Sequence, residues 1–503
     1  MSLEKQALYG PSKYLTVIRE KSDISLIYHS LLGNARVVNR ETVELLKKCE
    51  QDVTLEQLAK MVRKKDLKAL FKLSYLHEKG FDERTYITQL LKERQAHLMS
   101  GELFTHLQLI MTNGCNFNCE YCFAYNFVEA INNRNNSGEF VAPKKQFSKL
   151  SMISNSGAKI ASTTNGRNPR ANMTPEIAEK AIDQGIAACL KHGRDRMSIS
   201  FFGGEPTLNR KLICHILNRY GNGDGTGVRI AYDINTNGTK LDKELIEMLV
   251  RYKVRTEVSV DYICEETGGY RGARVPPVPW EIVRNNIITA VKSGVTLQLT
   301  SVLSSDTWKW WNHNLIDFAA YVGIGEIDAI VSFQFAFFKE YGPKNVAQKI
   351  LEAYDYAQSK NVLLTGYWYH TYSLILDDEK REMQADYKTC PAIGRMISIE
   401  PNGSVYACKT SNRLIGNLDD WDGIFASPTY EYYAMRAYSN SPDCHGCELE
   451  GFCSGSSCGA LEEVHDIYKM DAGYCEYIKT VVRGLLERHM DRLDGERHKV
   501  QYA

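Results

Sequence analysis

Residues Thr112 to Phe127 read TNGCNFNCEYCFAYNF and place three cysteines, Cys115, Cys119 and Cys122, within eight positions. A disulfide uses two thiols, so it would leave one of the three unpaired. A structural zinc site usually draws its thiolates from two C-x2-C pairs far apart in the sequence, whereas this grouping is C-x3-C-x2-C. The stretch therefore indicates a metal centre, and the rest of the chain has to decide between zinc and an iron–sulfur cluster.

Composition limits the class of protein. The chain has 503 residues, which is too long for one ordinary core and predicts two or three domains. Lys and Arg together number 61, as do Asp and Glu, so no net field attracts nucleic acid or an anionic membrane. The first residues lack the apolar segment of a signal peptide, and no uncharged apolar run is long enough to span a bilayer. We expect a cytoplasmic protein with no nucleic-acid or membrane partner.

The fourteen cysteines need a metal or catalytic role, because structural disulfides rarely persist in the cytoplasm. Four of them, Cys49, Cys189, Cys214 and Cys264, are scattered, and most of these have the apolar surroundings of inert buried thiols. A second group lies in the last quarter of the chain: Cys390, Cys408, Cys444, Cys447, Cys453, Cys458 and Cys475.

Residues 1–100 have the pattern of a small separate module. KYLTVIRE and SLIYHSLLGNARVV alternate apolar and polar residues, as half-buried strands do. Asn39 and Thr54 are predicted to cap two amphipathic helices, and Gln57 stands at the capping-box position of the second. A third helix is predicted over LKALFKLSYLHEKGF, ending near Gly80. Three short strands followed by three helices predict a winged-helix-like α+β module.

From His106 onward, apolar strand-like runs alternate with amphipathic helices. The runs are HLQLIMT, RMSISFFGG, RIAYDINTNG, VRTEVSVD, TLQLTSVLS and IDAIVSFQFAF. This alternation predicts an α/β fold with a parallel sheet, which we interpret as a partial (β/α)6 barrel of the TIM type over residues 104–335. Active-site residues in such folds lie on loops at the carboxyl ends of strands, and the three-cysteine loop follows the first strand.

The remaining segments are assigned by composition. Residues 127–172 are rich in Asn, Ser, Gly and Lys and are predicted to be an insertion into the barrel. Residues 336–385 are predicted as a linking region, 386–480 as a cysteine-rich domain, and 481–503 as a C-terminal helix.

The three-cysteine loop resembles the signature of radical S-adenosylmethionine (radical SAM) enzymes, which is C-x3-C-x2-C beside an aromatic residue. The resemblance implies that Cys115, Cys119 and Cys122 bind a [4Fe–4S] cluster whose fourth iron chelates S-adenosylmethionine (SAM). FFGGEPTLN, after the second strand, resembles the GGE motif of that family. It implies that Gly203, Gly204, Glu205 and Pro206 contribute to the cofactor site, with Glu205 binding the ammonium group.

Three further cofactor contacts follow from the same resemblance. INTNGT resembles the motif of the fourth strand of the family, where Asn237 would face the ribose. VSVDY resembles the Ser-x-Asp of the fifth strand, where Ser259 would face the cofactor. Arg271 stands where related enzymes place a basic residue near the methionine carboxylate, and Arg274 is a rival for that role.

The C-terminal cysteines resemble the seven-cysteine SPASM domain, which binds two auxiliary clusters. Gly403 stands at the position of the glycine in that motif, but four residues rather than three separate Cys453 from Cys458. Carried over, one auxiliary [4Fe–4S] cluster would be bound by Cys444, Cys447, Cys453 and Cys475, and the other by Cys390, Cys408 and Cys458. Zinc sites are the alternative, although zinc would not explain the radical SAM motif.

The N-terminal module resembles the PqqD-like elements that bind the leaders of precursor peptides by adding them as a strand. The resemblance therefore implies a maturase with three [4Fe–4S] clusters, SAM, a ribosomally made precursor peptide, and an electron donor such as flavodoxin or ferredoxin. We expect an oxidative crosslink, with a thioether preferred to a carbon–carbon or ether link. A formylglycine-forming maturase is a weaker alternative, because Lys409 replaces the Asp that such enzymes carry as a base. A non-catalytic cluster scaffold is another.

Overall fold

The structure is a computed structural model. It describes residues 7–20, 22–51, 53–85, 97–117, 119, 121–122, 171–272, 278–331, 336–377, 390, 392, 394–411, 413–434, 442–453 and 471–501. The predicted insertion 127–172 lies almost wholly outside this part of the chain, as do Arg274 and Cys458.

The described chain contains short N-terminal strands and helices, a βα alternation, and a C-terminal region that ends in a long helix. The strands are β1 Leu8–Pro11, β2 Leu15–Ile18, β3 Ile24–His29, β4 Gly33–Asn39, β5 Val53–Thr54, β6 Leu76–Glu78, β7 His106–Thr112, β8 Arg196–Gly203, β9 Arg229–Thr236, β10 Arg255–Ser259, β11 Leu297–Leu303, β12 Glu326–Val331, β13 Leu363–Thr365, β14 Met396–Ile399, β15 Ser404–Tyr406 and β16 Gly416–Asn417.

From β7 onward, helices alternate with the parallel strands along the chain, as is usual in an α/β protein. They are α1 Arg40–Lys48, α2 Leu55–Met61, α3 Lys64–Lys72, α4 Pro175–Lys191, α5 Arg210–Tyr220, α6 Lys243–Arg251, α7 Trp280–Lys292, α8 Ser305–Trp308, α9 Asn314–Val322, α10 Ala336–Tyr341, α11 Pro343–Ser359, α12 Tyr367–Leu376, α13 Trp421–Ala426, α14 Pro428–Ala434 and α15 Ala472–Gln501. Among the described residues, no helix has both the length and the apolar character needed to cross a bilayer.

The N-terminal module contains two three-stranded sheets, in the orders β5-β1-β6 and β2-β3-β4, together with α1, α2 and α3. The two predicted helix caps are confirmed: Thr42 N donates to Asn39 Oδ1 at 3.0 Å, and Thr54 forms a capping box with Gln57. The predicted third helix is wrong in its second half, because α3 ends at Lys72 and the chain enters β6. Ser74 adopts a positive φ of 60° there, which a continuing helix does not allow.

Every residue of β3, the central strand of sheet β2-β3-β4, is buried, so both faces of this strand are covered. Ile27 packs into a small core with α1, α2 and α3. Leu26 and Tyr28 belong instead to the main core of the protein, because side chains alternate between the two faces of a strand. The module therefore shares the main hydrophobic core rather than forming a free-standing unit.

The central sheet has ten strands in the order β13-β12-β11-β10-β9-β8-β7-β14-β15-β16. The strands from β7 to β13 are all parallel to their neighbours, which confirms the predicted α/β class with a barrel-like parallel sheet. One face of each strand is apolar and covered by helices, as Leu107 and Ile199 are. The opposite face carries polar residues such as Gln108 and Ser200, so the concave side of the sheet is a polar chamber rather than a packed core.

The C-terminal region extends the same sheet. β14 pairs in parallel with β7, and β15 and β16 continue the sheet in the antiparallel sense. Gly403 has a φ of 81° in the turn between β14 and β15, a conformation that favours glycine and explains its place in the motif. The predicted linking region 336–385 contains α10, α11, α12 and the sheet strand β13, and α15 packs against α11 and α12.

Candidate active site

The three-cysteine loop begins where β7 ends and folds back over the carboxyl edge of the sheet. Phe117 N donates to Cys115 Sγ at 3.4 Å, and Cys122 N donates to the Cys119 carbonyl at 3.1 Å. Cys115 lies close enough to Cys119 and Cys122 for their charges to affect its ionisation. The turn therefore brings the three predicted cluster ligands, Cys115, Cys119 and Cys122, close to one another.

Two glycines allow the loop after β8 to lie directly against the cysteine loop. Gly204 N donates to the Thr112 carbonyl at 2.8 Å, and Glu205 N donates to the Gly114 carbonyl at 2.9 Å. A Cβ atom at Gly203 would collide with the Thr112 carbonyl oxygen, and one at Gly204 would collide with that of Gly114. Both positions therefore require glycine, since neither backbone segment can move away without releasing the other.

A Gly204→Ala variant should lose SAM cleavage, because the cysteine loop would have to move to admit the methyl group. We expect 5′-deoxyadenosine formation to fall about 100-fold, the scale of a misplacement of roughly 1 Å at a reacting centre. Gly325→Ala is the matched control, since its Cβ would meet no atom within 4 Å. Chromatographic quantification of 5′-deoxyadenosine is the measurement, and near-normal release by Gly204→Ala would contradict this account of the glycine.

Glu205 is buried and already has hydrogen-bond donors in the chain. Its Oε1 accepts from Thr207 N at 3.1 Å, from Thr207 Oγ1 at 2.6 Å and from Thr236 Oγ1 at 2.6 Å, while Asn237 N donates to Oε2 at 2.7 Å. Burial raises the pKa of this carboxyl, and the four donors oppose that shift. Glu205 thus joins the loop after β8 to the end of β9, and its predicted contact with the SAM ammonium stays a prediction. Pro206 begins a short 3-10 helix over Pro206–Asn209.

Asn237 lies directly after β9 and holds the cysteine loop from a second side. Its Nδ2 donates to Asn116 Oδ1 at 2.8 Å, and its Oδ1 accepts from Thr239 Oγ1 at 2.7 Å. Asn116 Nδ2 in turn donates to Thr239 Oγ1 at 2.9 Å, which closes a ring of three side chains. The predicted ribose-binding residue is therefore within reach of the cluster loop, and its contact with the ribose stays a prediction.

Asp261 is a fully buried carboxylate that forms hydrogen bonds or an ion pair with four neighbouring residues. Its Oδ2 accepts from Tyr121 Oη at 2.6 Å and from Gly272 N at 2.8 Å, and its Oδ1 accepts from Val302 N at 3.0 Å. Arg271 Nη1 lies 3.6 Å from the same Oδ1. Asp261 thus fastens the cysteine loop, the loop after β10 and strand β11 to one another.

Arg271 connects this carboxylate to the cluster loop. Its Nη2 donates to Cys119 Sγ at 3.3 Å, and its guanidinium lies 5.6 Å from the centre of the Tyr121 ring. Although burial opposes the charged form, Asp261 and Cys119 hold the pKa of Arg271 well above its usual value. Its Nε and Nη1 atoms are buried without a hydrogen-bond partner, so donors remain for an anionic ligand. The predicted carboxylate contact is compatible with this geometry.

Ser259 ends β10 and is half-buried beside Thr300 of β11. The residues that the sequence analysis leaves out are Asn116, Tyr121 and Asp261. The signal for Asp261 is present in VSVDY, whose Ser-x-Asp pattern includes it. Asn116 and Tyr121 lie between the cysteines and carry no signal of their own, because their partners are more than a hundred residues away.

The second cysteine group also comes together. Burial raises the pKa of Cys475, in the first turn of α15, and the nearby Cys453, Cys444 and Cys447 raise it as well. Leu449 N donates to Cys447 Sγ at 3.5 Å. Cys408 follows β15 and shares a 2.8 Å hydrogen bond with Thr410 Oγ1, and Cys390 is half-buried near the same core. Cys458 is outside the described residues, so its ligand role stays a prediction.

These cysteine sets fit iron–sulfur clusters better than zinc. Within the described part of the chain, no three His, Cys, Asp or Glu side chains converge closely enough to bind one metal ion. A four-iron cluster distributes its thiolates over separate irons, so it needs a wider arrangement than tetrahedral zinc. The backbone N–H groups that donate to Cys115 and Cys447 suit bound thiolates as well.

The N-terminal module contacts the loop that carries this second group. Arg84 Nη2 donates to both oxygens of the buried Glu450 carboxylate at 2.7 and 2.8 Å, and Gly446 N donates to Glu450 Oε2 at 2.9 Å. Gly451 N donates to the Ser30 carbonyl at 2.7 Å. The cysteine loop 444–453 is thus attached directly to the end of β3.

A parallel half-barrel with a three-cysteine loop at its carboxyl edge, followed by a cysteine-rich extension of the same sheet, defines an iron–sulfur enzyme. The radical SAM superfamily model matches residues 109–313, and the SPASM iron–sulfur cluster-binding domain model matches residues 390–448. The chain is a radical SAM enzyme with a SPASM domain, as the resemblance implies.

The chain is also similar to individual proteins of known sequence or structure. The radical SAM cyclopropyl synthase TigE of Paramaledivibacter caminithermalis is 29% identical over 488 residues, which cover 95% of each chain. The structure of anSMEcpe with bound AdoMet and Cp18Cys peptide aligns with a TM-score of 0.53 and 17% identity, covering 78% of this chain and 99% of that one. Streptococcus suis SuiB aligns with a TM-score of 0.49 and 15% identity over 92% and 99% of the two chains.

Proposed function

We propose that this enzyme is a peptide maturase that removes two hydrogens from a ribosomally made precursor peptide and closes a new bond in it. The observation that carries the proposal is the pairing of β14 with β7, which sets the auxiliary-cluster region beside the cluster loop over one polar chamber. Lys409 N, next to Cys408, donates to Gln108 Oε1 of the chamber wall at 2.8 Å. The likeness to TigE along nearly the whole chain supports the same class of activity.

The described residues position the cofactor and keep the cysteine loop in place. When bound, a three-thiolate [4Fe–4S] cluster supplies an open iron for SAM and the electron that yields a 5′-deoxyadenosyl radical. Arg271 offers the donors that have no hydrogen-bond partner to the SAM carboxylate, while its Nη2 donates to Cys119 Sγ and fixes the position of that sulfur. Glu205 and Asn237 hold the loops after β8 and β9 against the cysteine loop, and Ser259 faces the chamber at the same level. In the proposal, two auxiliary clusters and a flavodoxin or ferredoxin complete the electron path.

The new bond is a carbon–carbon bond in the first candidate and a thioether in the second. The likeness to TigE, named as a cyclopropyl synthase, favours ring closure between carbons. The thioether is favoured by the first auxiliary cluster, for which only Cys390, Cys408 and Cys458 are assigned. A fourth iron left without a protein thiolate could bind a substrate cysteine, because thiolates are preferred ligands for such iron.

The N-terminal module is proposed to capture the leader of the precursor. β2 and β4 are the edge strands of its larger sheet, and an extended peptide can add to such an edge through backbone hydrogen bonds. Val37 on the edge strand β4 exposes 43% of its surface. An apolar leader side chain would cover it.

Incubation of the anaerobically reconstituted enzyme with its precursor peptide and SAM should lower the peptide mass by about 2 Da for each bond closed, because one hydrogen atom, one proton and one electron leave. Tandem mass spectrometry locates the change, and iodoacetamide then separates the two candidates. A product whose cysteines all remain alkylatable supports the carbon–carbon bond, and a blocked cysteine supports the thioether. SAM cleavage with an unchanged peptide mass would contradict the maturase proposal.

A further inference from the structure

The polar residues of the chamber divide into two halves. Those assigned to the cofactor follow β7, β8, β9 and β10, on one side of the barrel. The wall formed by β11, β12 and β13 carries polar side chains that no assigned role uses. Thr300 pairs in register with Ser259 on one side and with Asp328 on the other, and Asp328 pairs with Thr365. Paired residues in a parallel sheet point to the same face, so these four form one level of the chamber.

Asp328 lies two strands away from Ser259, which places their backbones about 10 Å apart at roughly 4.8 Å per strand. Between them, Thr300 is only 5% exposed, and its Oγ1 has no hydrogen-bond partner. A buried hydroxyl without a partner is unusual and points to a group that enters from the chamber. At this level of the sheet, the chamber therefore has room for a ligand between Ser259, on the side assigned to the cofactor, and Asp328 on β12.

Three of the carboxylates on this face of the sheet, those of Asp233, Glu257 and Asp328, differ in their surroundings. Asp233 accepts from Ser200 Oγ at 2.7 Å, and Glu257 accepts from Asn235 Nδ2 at 3.1 Å. Asp328 accepts only one long bond of 3.5 Å from Thr365 Oγ1. Among the three, Asp328 thus has the least hydrogen bonding to lose when it changes its protonation state.

Charged groups on each neighbouring element affect Asp328. Burial, together with the carboxylates of Glu257 on β10 and Glu326 on β12, raises its pKa to about 7, while Thr365 and Arg255 oppose the shift. A base with a pKa near the working pH is well matched to proton transfer.

We propose that Asp328 accepts the proton that leaves the substrate peptide as the new bond closes. The step rests on the proposed function, and its atoms and electrons balance. One C–H bond loses its hydrogen atom to the 5′-deoxyadenosyl radical. A second C–H or S–H bond then gives its proton to the Asp328 carboxylate, while the surplus electron leaves to an iron–sulfur cluster of the SPASM domain. The two substrate atoms become joined, and the peptide has lost two hydrogens.

The test compares Asp328→Asn with wild-type enzyme in the holo form, together with Asp328→Glu, which restores a carboxylate. The measured quantity is the ratio of closed peptide to 5′-deoxyadenosine. We expect Asp328→Asn to lower this ratio about 100-fold, the usual contribution of a positioned base, while 5′-deoxyadenosine still forms. Asp328→Glu should recover most of the loss. Asp317→Asn is the matched control, because that carboxylate lies on α9 and pairs with Tyr356 and Lys360.

A pH profile supplies an independent readout. The wild-type ratio should fall as the pH drops through about 7, because protonated Asp328 cannot accept a proton, and this limb should be absent in Asp328→Asn. An unchanged ratio in Asp328→Asn, or a wild-type ratio without that limb, would overturn the inference and leave the maturase proposal intact. Wild-type enzyme that closes no bond in the peptide at any pH would overturn the proposed function itself.

Discussion

Replacement of Cys115, Cys119 and Cys122 by alanine should abolish 5′-deoxyadenosine formation altogether. The three thiols are the proposed ligands of the cluster that holds SAM, and they lie in one turn supported by Gly203, Gly204, Asn116 and Arg271. Without their sulfurs, neither the open iron nor the electron that cleaves SAM is available. Iron content should fall from about twelve to about eight atoms per chain, because the two auxiliary clusters have separate ligands.

Anaerobic iron analysis and quantification of 5′-deoxyadenosine measure both effects on the same sample. Cys189→Ala is the control, since Cys189 is buried between α4 and β8 and its sulfur meets only the Arg196 carbonyl, at 3.9 Å. Retained SAM cleavage in the triple variant would show that the cluster assignment is wrong. A loss of all iron would show that the auxiliary clusters do not assemble independently.

Asp261→Asn should destabilise the apoprotein by about 3–5 kcal/mol, the usual cost of leaving a buried charge without its partner. The amide keeps the size of the carboxylate, but it no longer neutralises Arg271. One of its two acceptor oxygens, Oδ2 beside Tyr121 and Gly272 or Oδ1 beside Val302, also becomes a donor. No other described residue faces Arg271 with a carboxylate at the distance of Asp261.

A double-mutant cycle separates the ion pair from the other bonds of Asp261. If the unpaired guanidinium causes the loss, Asp261→Asn combined with Arg271→Met should be more stable than Asp261→Asn alone. Urea unfolding of the metal-free proteins gives the four free energies. An Asp261→Asn variant within about 1 kcal/mol of wild type, the scale of an exposed ion pair, would argue against Asp261 as the residue that joins the three segments.

Much of the fold can be predicted from the sequence because its signals are local. Each of the six apolar runs from HLQLIMT onward became a strand of the parallel sheet, since runs of that length between helices bury one face under helices. Asn39 and Thr54 began helices because a cap needs only the next three residues. β13 was assigned to a linking region instead, because three residues, LLT, are too short to show a period.

The site was predictable in its cysteines and glycines but not in the bonds that hold it. Glu205 shows the reason: the sequence predicts a carboxylate that awaits an ammonium, whereas its donors are Thr207, Thr236 and Asn237. Thr236 ends β9 and Asn237 follows it, and no local pattern reveals that these residues meet Glu205. Asp261 depends in the same way on Tyr121, 140 residues earlier in the chain.

The shared core of the N-terminal module is a further long-range property. The alternation in its strands predicts half-buried strands, but β3 is buried on both faces because α12, α15 and the cysteine loop 444–453 cover the second face. A deletion of residues 1–100 would therefore expose main-core residues such as Leu26 and Tyr28, and it would not isolate the role of leader capture.

For engineering, the N-terminal module, which we propose captures the leader, and the SPASM loop 444–453 should be exchanged together. A chimera joined near residue 100 would replace Arg84 by a foreign residue, and the buried Glu450 carboxylate would lose its ion pair with Arg84. The chimera would also replace the segment that contains the Ser30 carbonyl, which accepts from Gly451 N. The backbone there lies so close to Gly451 that a Cβ atom at position 451 would have no space. Hybrid enzymes with a new leader specificity should carry the loop around residues 446–452 together with the module that it contacts. In natural relatives, the two segments should diverge in step.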